Sequence, residues 1–125
     1  MNHFLIVAAG GALGAGMRHL VNGWALRALG PNVPFGTVIV NIAGSLLMGL
    51  LIGALARIDG VSSATRLFLA TGVLGGFTTF SAFSLDAVTL YERGAIGAAF
   101  VYVAASVVVS IAALFAGLSI MRSLG

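Results

Sequence analysis

The sequence predicts an all-α integral membrane protein in which a single domain, residues 1–125, crosses the bilayer four times. Of its 125 residues, 60% are hydrophobic and only 7% are charged. Long uncharged runs recur along the chain, and each reaches the roughly 20 residues that a helix needs to cross about 30 Å of hydrocarbon. We expect the four helices near residues 3–28, 35–57, 65–91 and 95–121.

The first span begins at the N-terminus, where residues 4–17 are apolar and Arg18 interrupts a pattern that resumes through Leu29. A cleavable signal peptide is the alternative interpretation. It would place Lys or Arg ahead of the apolar region, and only His3 precedes that region here. We therefore expect the segment to be retained as a membrane helix.

Short connections separate the spans. Pro31 and Pro34 lie in the first connection and end the first helix, because proline cannot continue a helical hydrogen-bond ladder. Residues 59–63 form the second connection, and Arg93 with Gly94 forms the third. Since we expect no soluble domain, the function should lie within the membrane or at its faces.

Small residues mark two helix faces. In the second helix they recur at every fourth position, at Thr37, Asn41, Ser45, Gly49 and Gly53. In the first helix, Gly10 and Gly14 offer a similar face. Such residues let a neighbouring helix approach closely, so both faces are expected to pack against other helices.

Polar side chains also lie within the spans. Asn41 needs hydrogen-bond partners in a medium without water, so it either bridges helices or faces a polar pathway. Tyr102, Ser106 and Ser110 are spaced by four residues and share one side of the fourth helix. Serine hydroxyls can bond to their own helix carbonyls, but three hydroxyls in line, with Asn41 elsewhere, favour a polar track.

The third helix is expected to break between Gly75 and Thr78. Gly75 and Gly76 are adjacent weak helix formers, and Thr78 and Thr79 can compete for backbone hydrogen bonds. A break frees carbonyl and amide groups, which the membrane tolerates only where protein, water or an ion satisfies them. An interrupted membrane helix therefore indicates a functional site, with a packed kink as the alternative.

Two phenylalanines follow the predicted break. Phe80 and Phe83 share one helix face, and Ser81 and Ser84 line the neighbouring one. Rings at this spacing are commonly packing residues. A ring edge carries positive charge, however, so ring edges beside hydroxyl and amide donors can stabilise an anion that has lost its water.

The acidic residues lie away from the middle of the spans, with Asp59 in a loop and Asp86 and Glu92 in the latter part of the third helix. A cation path or a proton-coupled carrier normally needs a buried carboxylate, so an anion is favoured. Arg18 suits an anion entrance, although it could equally snorkel to the interface. No nucleophile, base and acid group together within the spans, so we do not expect an enzyme. Without cysteine, the chain has no disulfide or thiolate site.

The arginines are distributed almost evenly between the two membrane faces. The side of the termini and the central loop would carry Arg57, Arg66 and Arg122. The other side would carry Arg27 and Arg93, with Arg18 nearer to it. So small a bias is compatible with insertion in both orientations, and the alternative is a weakly biased protein that still inserts one way. If both orientations exist, an antiparallel two-fold homodimer is the simplest closed assembly. Because the arginines are scattered, nucleic acid is not an expected partner.

Three motifs carry a family resemblance. They read G-G-A-L-G-A-G-M-R at residues 10–18, G-T-V-I-V-N at residues 36–41 and G-G-F-T-T-F-S-A-F-S at residues 75–84. With four spans in this length, the chain resembles the Fluc (CrcB) fluoride channels over essentially its whole extent. The third motif is highly specific.

The resemblance implies an antiparallel homodimer that exports fluoride passively through two pores in the plasma membrane of a prokaryote, the inner membrane if it is Gram-negative. It implies a structural sodium ion at the two-fold axis, held by the backbone carbonyls of Gly75 and Thr78, and no organic cofactor. The positions that would face the pores are Phe80, Phe83, Asn41, Ser81, Ser84, Tyr102, Ser106, Ser110 and Thr37. Arg18 would lie near a vestibule.

One position departs from the family pattern. The family often has Thr between the Ser and the second Phe, where this chain has Ala82, so a threonine track at that position is in doubt. Two alternative functions fit the sequence less well. A small multidrug exporter would need a glutamate in its first helix, and residues 3–28 contain none. A structural membrane subunit would not explain a helix break beside amide donors and paired rings.

Overall fold

The computed structural model describes residues 2–124 and confirms four long apolar helices. Each bound lies within two residues of the predicted one. The helices span His3–Leu29, Phe35–Leu55, Ser63–Glu92 and Ile96–Ser123.

The connections between helices are fixed by backbone geometry and by arginine side chains. Gly30 ends the first helix with φ of 86°, a left-handed conformation that glycine adopts without strain. At one end of the bundle, Nη1 of Arg57 donates to the carbonyl of Met121 at 2.7 Å. At the other end, Nη2 of Arg93 donates to the carbonyl of Asn32 at 2.7 Å. The arginines thus satisfy carbonyls that a helix end or a loop leaves free.

The first and third helices touch backbone to backbone through glycines. A Cβ atom on Gly10 would lie 2.9 Å from Cα of Gly72, and one on Gly76 would lie 2.9 Å from Cα of Gly11. Real side chains do not approach so closely, so this packing requires glycine. The small-residue face predicted for the first helix is therefore a packing face.

The second and fourth helices form the other close pair. A Cβ atom on Gly49 would lie 3.1 Å from Cα of Gly117, and one on Gly53 would lie 2.6 Å from Cβ of Met121. These glycines form one half of the small-residue stripe predicted in the second helix. The stripe is thus a helix contact at Gly49 and Gly53, whereas its other half faces the interior near the break.

The third helix changes its winding along its length. It comprises an α-helical turn, a π-helical stretch, a short α-helical turn, an extended break and a second α-helix, at Ser63–Arg66, Leu67–Leu74, Gly75–Phe77, 78–80 and Ser81–Glu92. A bent third helix was expected, and it is confirmed.

The position of the break differs from the prediction. Gly75 and Gly76 remain helical, and the chain becomes extended only at Thr78, where φ is −86° and ψ is 158°. Gly76 lies against Gly11 of the first helix, so its lack of a side chain serves close packing and not the interruption. The glycine pair was therefore the wrong signal for the start of the break.

Gly14→Ala should destabilise the protein by about 1–3 kcal/mol, because a methyl group there would lie 2.8 Å from the amide nitrogen of Phe77 and 3.0 Å from the carbonyl carbon of Val73. The free energy of unfolding in mixed detergent micelles measures this. The matched control is Gly16→Ala in the same helix, where a Cβ meets nothing within 4 Å. Equal stability of the two variants would contradict the proposed packing.

Candidate ion pathway

The carboxamide of Asn41 pairs with the backbone of the break. Its Nδ2 donates to the carbonyl of Thr79 at 3.0 Å, and the amide of Thr79 donates to its Oδ1 at 2.8 Å. Both polar groups of one extended peptide residue are thus satisfied by a side chain from another helix. Asn41 therefore bridges helices, which is one of the two roles the sequence allowed.

The second half of the third helix starts with a side-chain cap. The amide of Ala82 donates to Oγ1 of Thr79 at 3.1 Å, which satisfies an amide that has no partner at a helix start. Position 82 therefore contributes its backbone here, and the hydroxyl involved belongs to Thr79. Oγ1 of Thr79 also lies 3.4 Å from Oγ of Ser81.

A cavity of about 500 Å³ lies between the break and the second and fourth helices. Seven of the predicted site residues line it. They are Asn41, Gly75, Thr78, Phe80, Phe83, Ser106 and Ser110. The cavity is therefore lined by aromatic rings, hydroxyl-bearing residues and an amide-bearing residue, next to the break.

The aromatic rings form a continuous row beside this cavity. The ring centroids of Phe80 and Phe83 are 5.5 Å apart with a tilt of 51°, and Phe83 stacks on Tyr102 at 5.4 Å. Phe83 and Tyr102 are buried, whereas Phe80 is 76% exposed. Tilted rings present edges as well as faces, so the row can offer positive ring edges to an anion.

Ser106 and Ser110 supply unused hydroxyls. Both line the cavity, and both Oγ atoms are buried without a hydrogen-bond partner among the described residues. A buried hydroxyl without a partner costs free energy, so such groups commonly serve water, an ion or a ligand. These two serines are the strongest candidates for donors to a permeating anion.

Ser81 and Ser84 lie outside the cavity lining. Oγ of Ser84 donates to the carbonyl of Phe80 at 2.9 Å, a bond within its own helix. Ser81 is exposed. In the single chain, therefore, these two predicted residues do not join the others.

Thr37 and Tyr102 both bond to the carboxylate of Asp86, which is not among the predicted site residues. Oγ1 of Thr37 donates to Oδ2 of Asp86 at 2.7 Å, and the hydroxyl of Tyr102 donates to the same oxygen at 3.2 Å. Asp86 lines a second cavity of about 380 Å³, which is also lined by Thr37. Helical spacing in the sequence does point to Asp86, because it follows Phe83 by three residues and so shares a helix face with it.

Arg18 contacts the broken helix from the first helix. Its Nε donates to the carbonyl of Gly76 at 3.2 Å, which places the guanidinium against the last helical turn before the break. In the single chain Arg18 therefore supports the broken helix from the first helix.

A metal bound here would depend on backbone oxygens. Within residues 2–124, no three histidine or carboxylate side chains come together in a way that could hold a metal ion. Gly75 and Thr78 both line the first cavity next to the break. Carbonyl oxygens are ligands that suit hard cations.

Comparison with known proteins places the chain in a family. The family model described as CrcB-like protein, Camphor Resistance (CrcB), matches residues 5–118. A protein of Agrobacterium fabrum named fluoride-specific ion channel FluC is 58% identical over 124 residues, which cover 99% of each chain. Proteins of the same name from Chelativorans sp. and Mesorhizobium japonicum are 60% and 59% identical, again over 99% of each chain. With its four membrane-spanning helices, this multi-pass bacterial membrane protein belongs to the CrcB family.

Proposed function

We propose that this protein is a fluoride-selective channel that lets fluoride leave the cell passively across the inner membrane and so reduces its toxicity. The names of the similar proteins support the choice of ion. The observation that carries the proposal is the cavity that Phe80 and Phe83 line together with Ser106 and Ser110, whose hydroxyls have no hydrogen-bond partner within residues 2–124.

The chemistry of this cavity suits a small anion. Fluoride gives up strong hydration on entering a membrane, so the pathway must replace water with other donors. Serine hydroxyls can donate hydrogen bonds to the anion, and the edges of the two phenylalanine rings can add weaker positive contacts. Among the described residues, the lining of the first cavity includes no lysine or arginine, so an anion there would be held weakly enough to leave again.

The single chain leaves this pathway open on one side. Phe80 is 76% exposed, and Ser81 and Gly75 are exposed beside it. Lipid cannot satisfy the polar backbone of a helix break, so another protein surface must cover it. A second copy in antiparallel orientation is the proposed cover, since the nearly balanced arginines permit both insertions.

A structural sodium ion at the dimer axis forms part of the proposal. The backbone carbonyls of Gly75 and Thr78 would hold it. Gly75 lies in the last helical turn before the break, and Thr78 is the first extended residue. When bound, the ion supplies a fixed positive charge close to the anion pathway. Tyr102, Thr37 and Asp86 would then form one end of that pathway, and Arg18 would lie near a vestibule while supporting the break.

The protein should conduct fluoride in preference to chloride. Liposomes that contain the purified protein should release trapped fluoride, followed with an ion-selective electrode, far faster than liposomes loaded with chloride release chloride. The names of the similar proteins support fluoride as the ion that is released. Equal release of both ions, or release of neither, would contradict the channel proposal.

The rings of Phe80 and Phe83 should be needed for rapid fluoride release. Phe80→Ile and Phe83→Ile should each slow fluoride release by about tenfold, because isoleucine lacks the positive ring edge. Size-exclusion chromatography checks that the dimer persists. The matched control is Phe100→Ile, which changes a 69% exposed phenylalanine of the fourth helix outside the cavity lining. Unchanged release in both site variants would leave the rings as packing residues.

The chain should insert into the membrane in both orientations. Because the protein contains no cysteine, Asn32→Cys and Ser123→Cys each introduce one thiol, at opposite ends of the bundle. Neither substitution changes the arginine balance. In whole cells, an impermeant maleimide should label about half of each variant, and permeabilised cells should label fully. Labelling of one variant completely and of the other not at all would rule out dual topology.

A further inference from the structure

We propose that Asn41 and Thr79 are positioning residues of the cation site, because their side chains withdraw the two amides that would otherwise occupy the ligand carbonyls. The inference rests on the sodium ion of the proposed function and goes beyond it, since it assigns how this chain prepares the carbonyls of Gly75 and Thr78. The first of the two residues belongs to a different helix, so the site is assembled between helices.

Asn41 releases the carbonyl of Gly75. In a continuous α-helix this carbonyl would accept from the amide four residues later, which belongs to Thr79. That amide instead donates to Oδ1 of Asn41 at 2.8 Å. The carbonyl of Gly75 thereby loses its helical partner while staying within a helical turn, a fixed position beside the break.

Thr79 releases the carbonyl of Thr78 in the same manner. Its helical partner would be the amide of Ala82, and that amide donates to Oγ1 of Thr79 at 3.1 Å. One side-chain oxygen thus diverts each of the two amides. The two carbonyls set free in this way are the pair at which the sodium ion is proposed.

Three neighbouring carbonyls, by contrast, do receive donors. The carbonyl of Gly76 accepts from Arg18 at 3.2 Å, and that of Thr79 accepts from Nδ2 of Asn41 at 3.0 Å. The carbonyl of Phe80 accepts from both the amide and the hydroxyl of Ser84, at 2.9 Å each. Compensating donors therefore reach these three carbonyls, while the carbonyls of Gly75 and Thr78 lose the donors a helix would provide.

Asn41 also connects the cation site to the anion pathway. Its carboxamide lines the cavity with Phe80 and Phe83, and Nδ2 carries two hydrogens, of which the bond to Thr79 uses one. The same side chain can thus hold the break open and present a donor to the cavity. A change at Asn41 should therefore alter cation binding even where no fluoride is present.

The test measures how strongly sodium stabilises the purified dimer in the absence of fluoride. Thermal unfolding is followed while Na⁺ replaces N-methylglucamine at constant ionic strength, which gives the Na⁺ concentration for half of the stabilisation. Thr79→Val, which keeps the shape but removes the hydroxyl, should raise that concentration by about tenfold, because the Ala82 amide becomes free to bond the Thr78 carbonyl. Asn41→Leu should raise it similarly.

Two control variants separate positioning from general stability. Thr79→Ser keeps the hydroxyl and should restore binding to within about threefold of the unmodified protein. Thr89→Val removes an exposed hydroxyl from the same half-helix and should leave the half-stabilising concentration unchanged. A purely structural role would lower the unfolding temperature in the absence of Na⁺ without shifting that concentration.

Failure of this inference can be told apart from failure of the channel proposal. Unaltered Na⁺ binding in Thr79→Val and Asn41→Leu, or equal loss in Thr79→Ser and Thr79→Val, would overturn the inference. So would an unmodified protein that releases fluoride from liposomes but is not stabilised by Na⁺. The expected Na⁺ shifts in a protein that releases no fluoride would support the inference and contradict the channel.

Discussion

The paired hydrogen bonds between Asn41 and the backbone of Thr79 are the interaction on which the site depends. They replace two helical bonds with two bonds from a neighbouring helix, at 2.8 and 3.0 Å, so the amide and the carbonyl of Thr79 are both satisfied. The interruption then turns the chain so that Phe83 lies inward against Tyr102, and Phe80 lies at the open edge of the cavity. Without this pairing, a continuous helix would be the cheaper conformation in hydrocarbon.

Glycine contacts bring the helices close enough for these side chains to reach. Gly44 of the second helix lies so near the break that a Cβ atom there would be 3.3 Å from Cδ2 of Phe77 and would collide with Cγ2 of Thr78. The side chain of Asn41, one turn away, then meets Thr79 directly. The first helix supports the break from its other side, where its contact with Gly76 places Arg18 within reach of a carbonyl. Packing and chemistry are therefore set by the same short distances.

The sequence was sufficient for the four spans, because hydrophobic length is a local property, and for the interruption of the third helix. It also indicated which polar residues of the second and fourth helices face inward, since helical spacing places Ser106 and Ser110 on one side. It failed where a residue's role depends on a partner distant in the chain. The break starts after Phe77 because Asn41 takes the Thr79 amide, and Asp86 matters because two hydroxyls reach it. Neither partner could be read from local propensity.

The origin of the break has a consequence for how the protein assembles in the membrane. Because Asn41 supplies both bonds to the backbone of Thr79, the third helix by itself would leave that amide and that carbonyl without these partners in the opened turn. A newly inserted third helix should therefore be continuous, and the interruption should form only when the second helix docks against it. In this order of events, the polar segment is never exposed to lipid without a partner. The second helix would thus determine the conformation of the third, and the broken conformation would form only in the packed bundle.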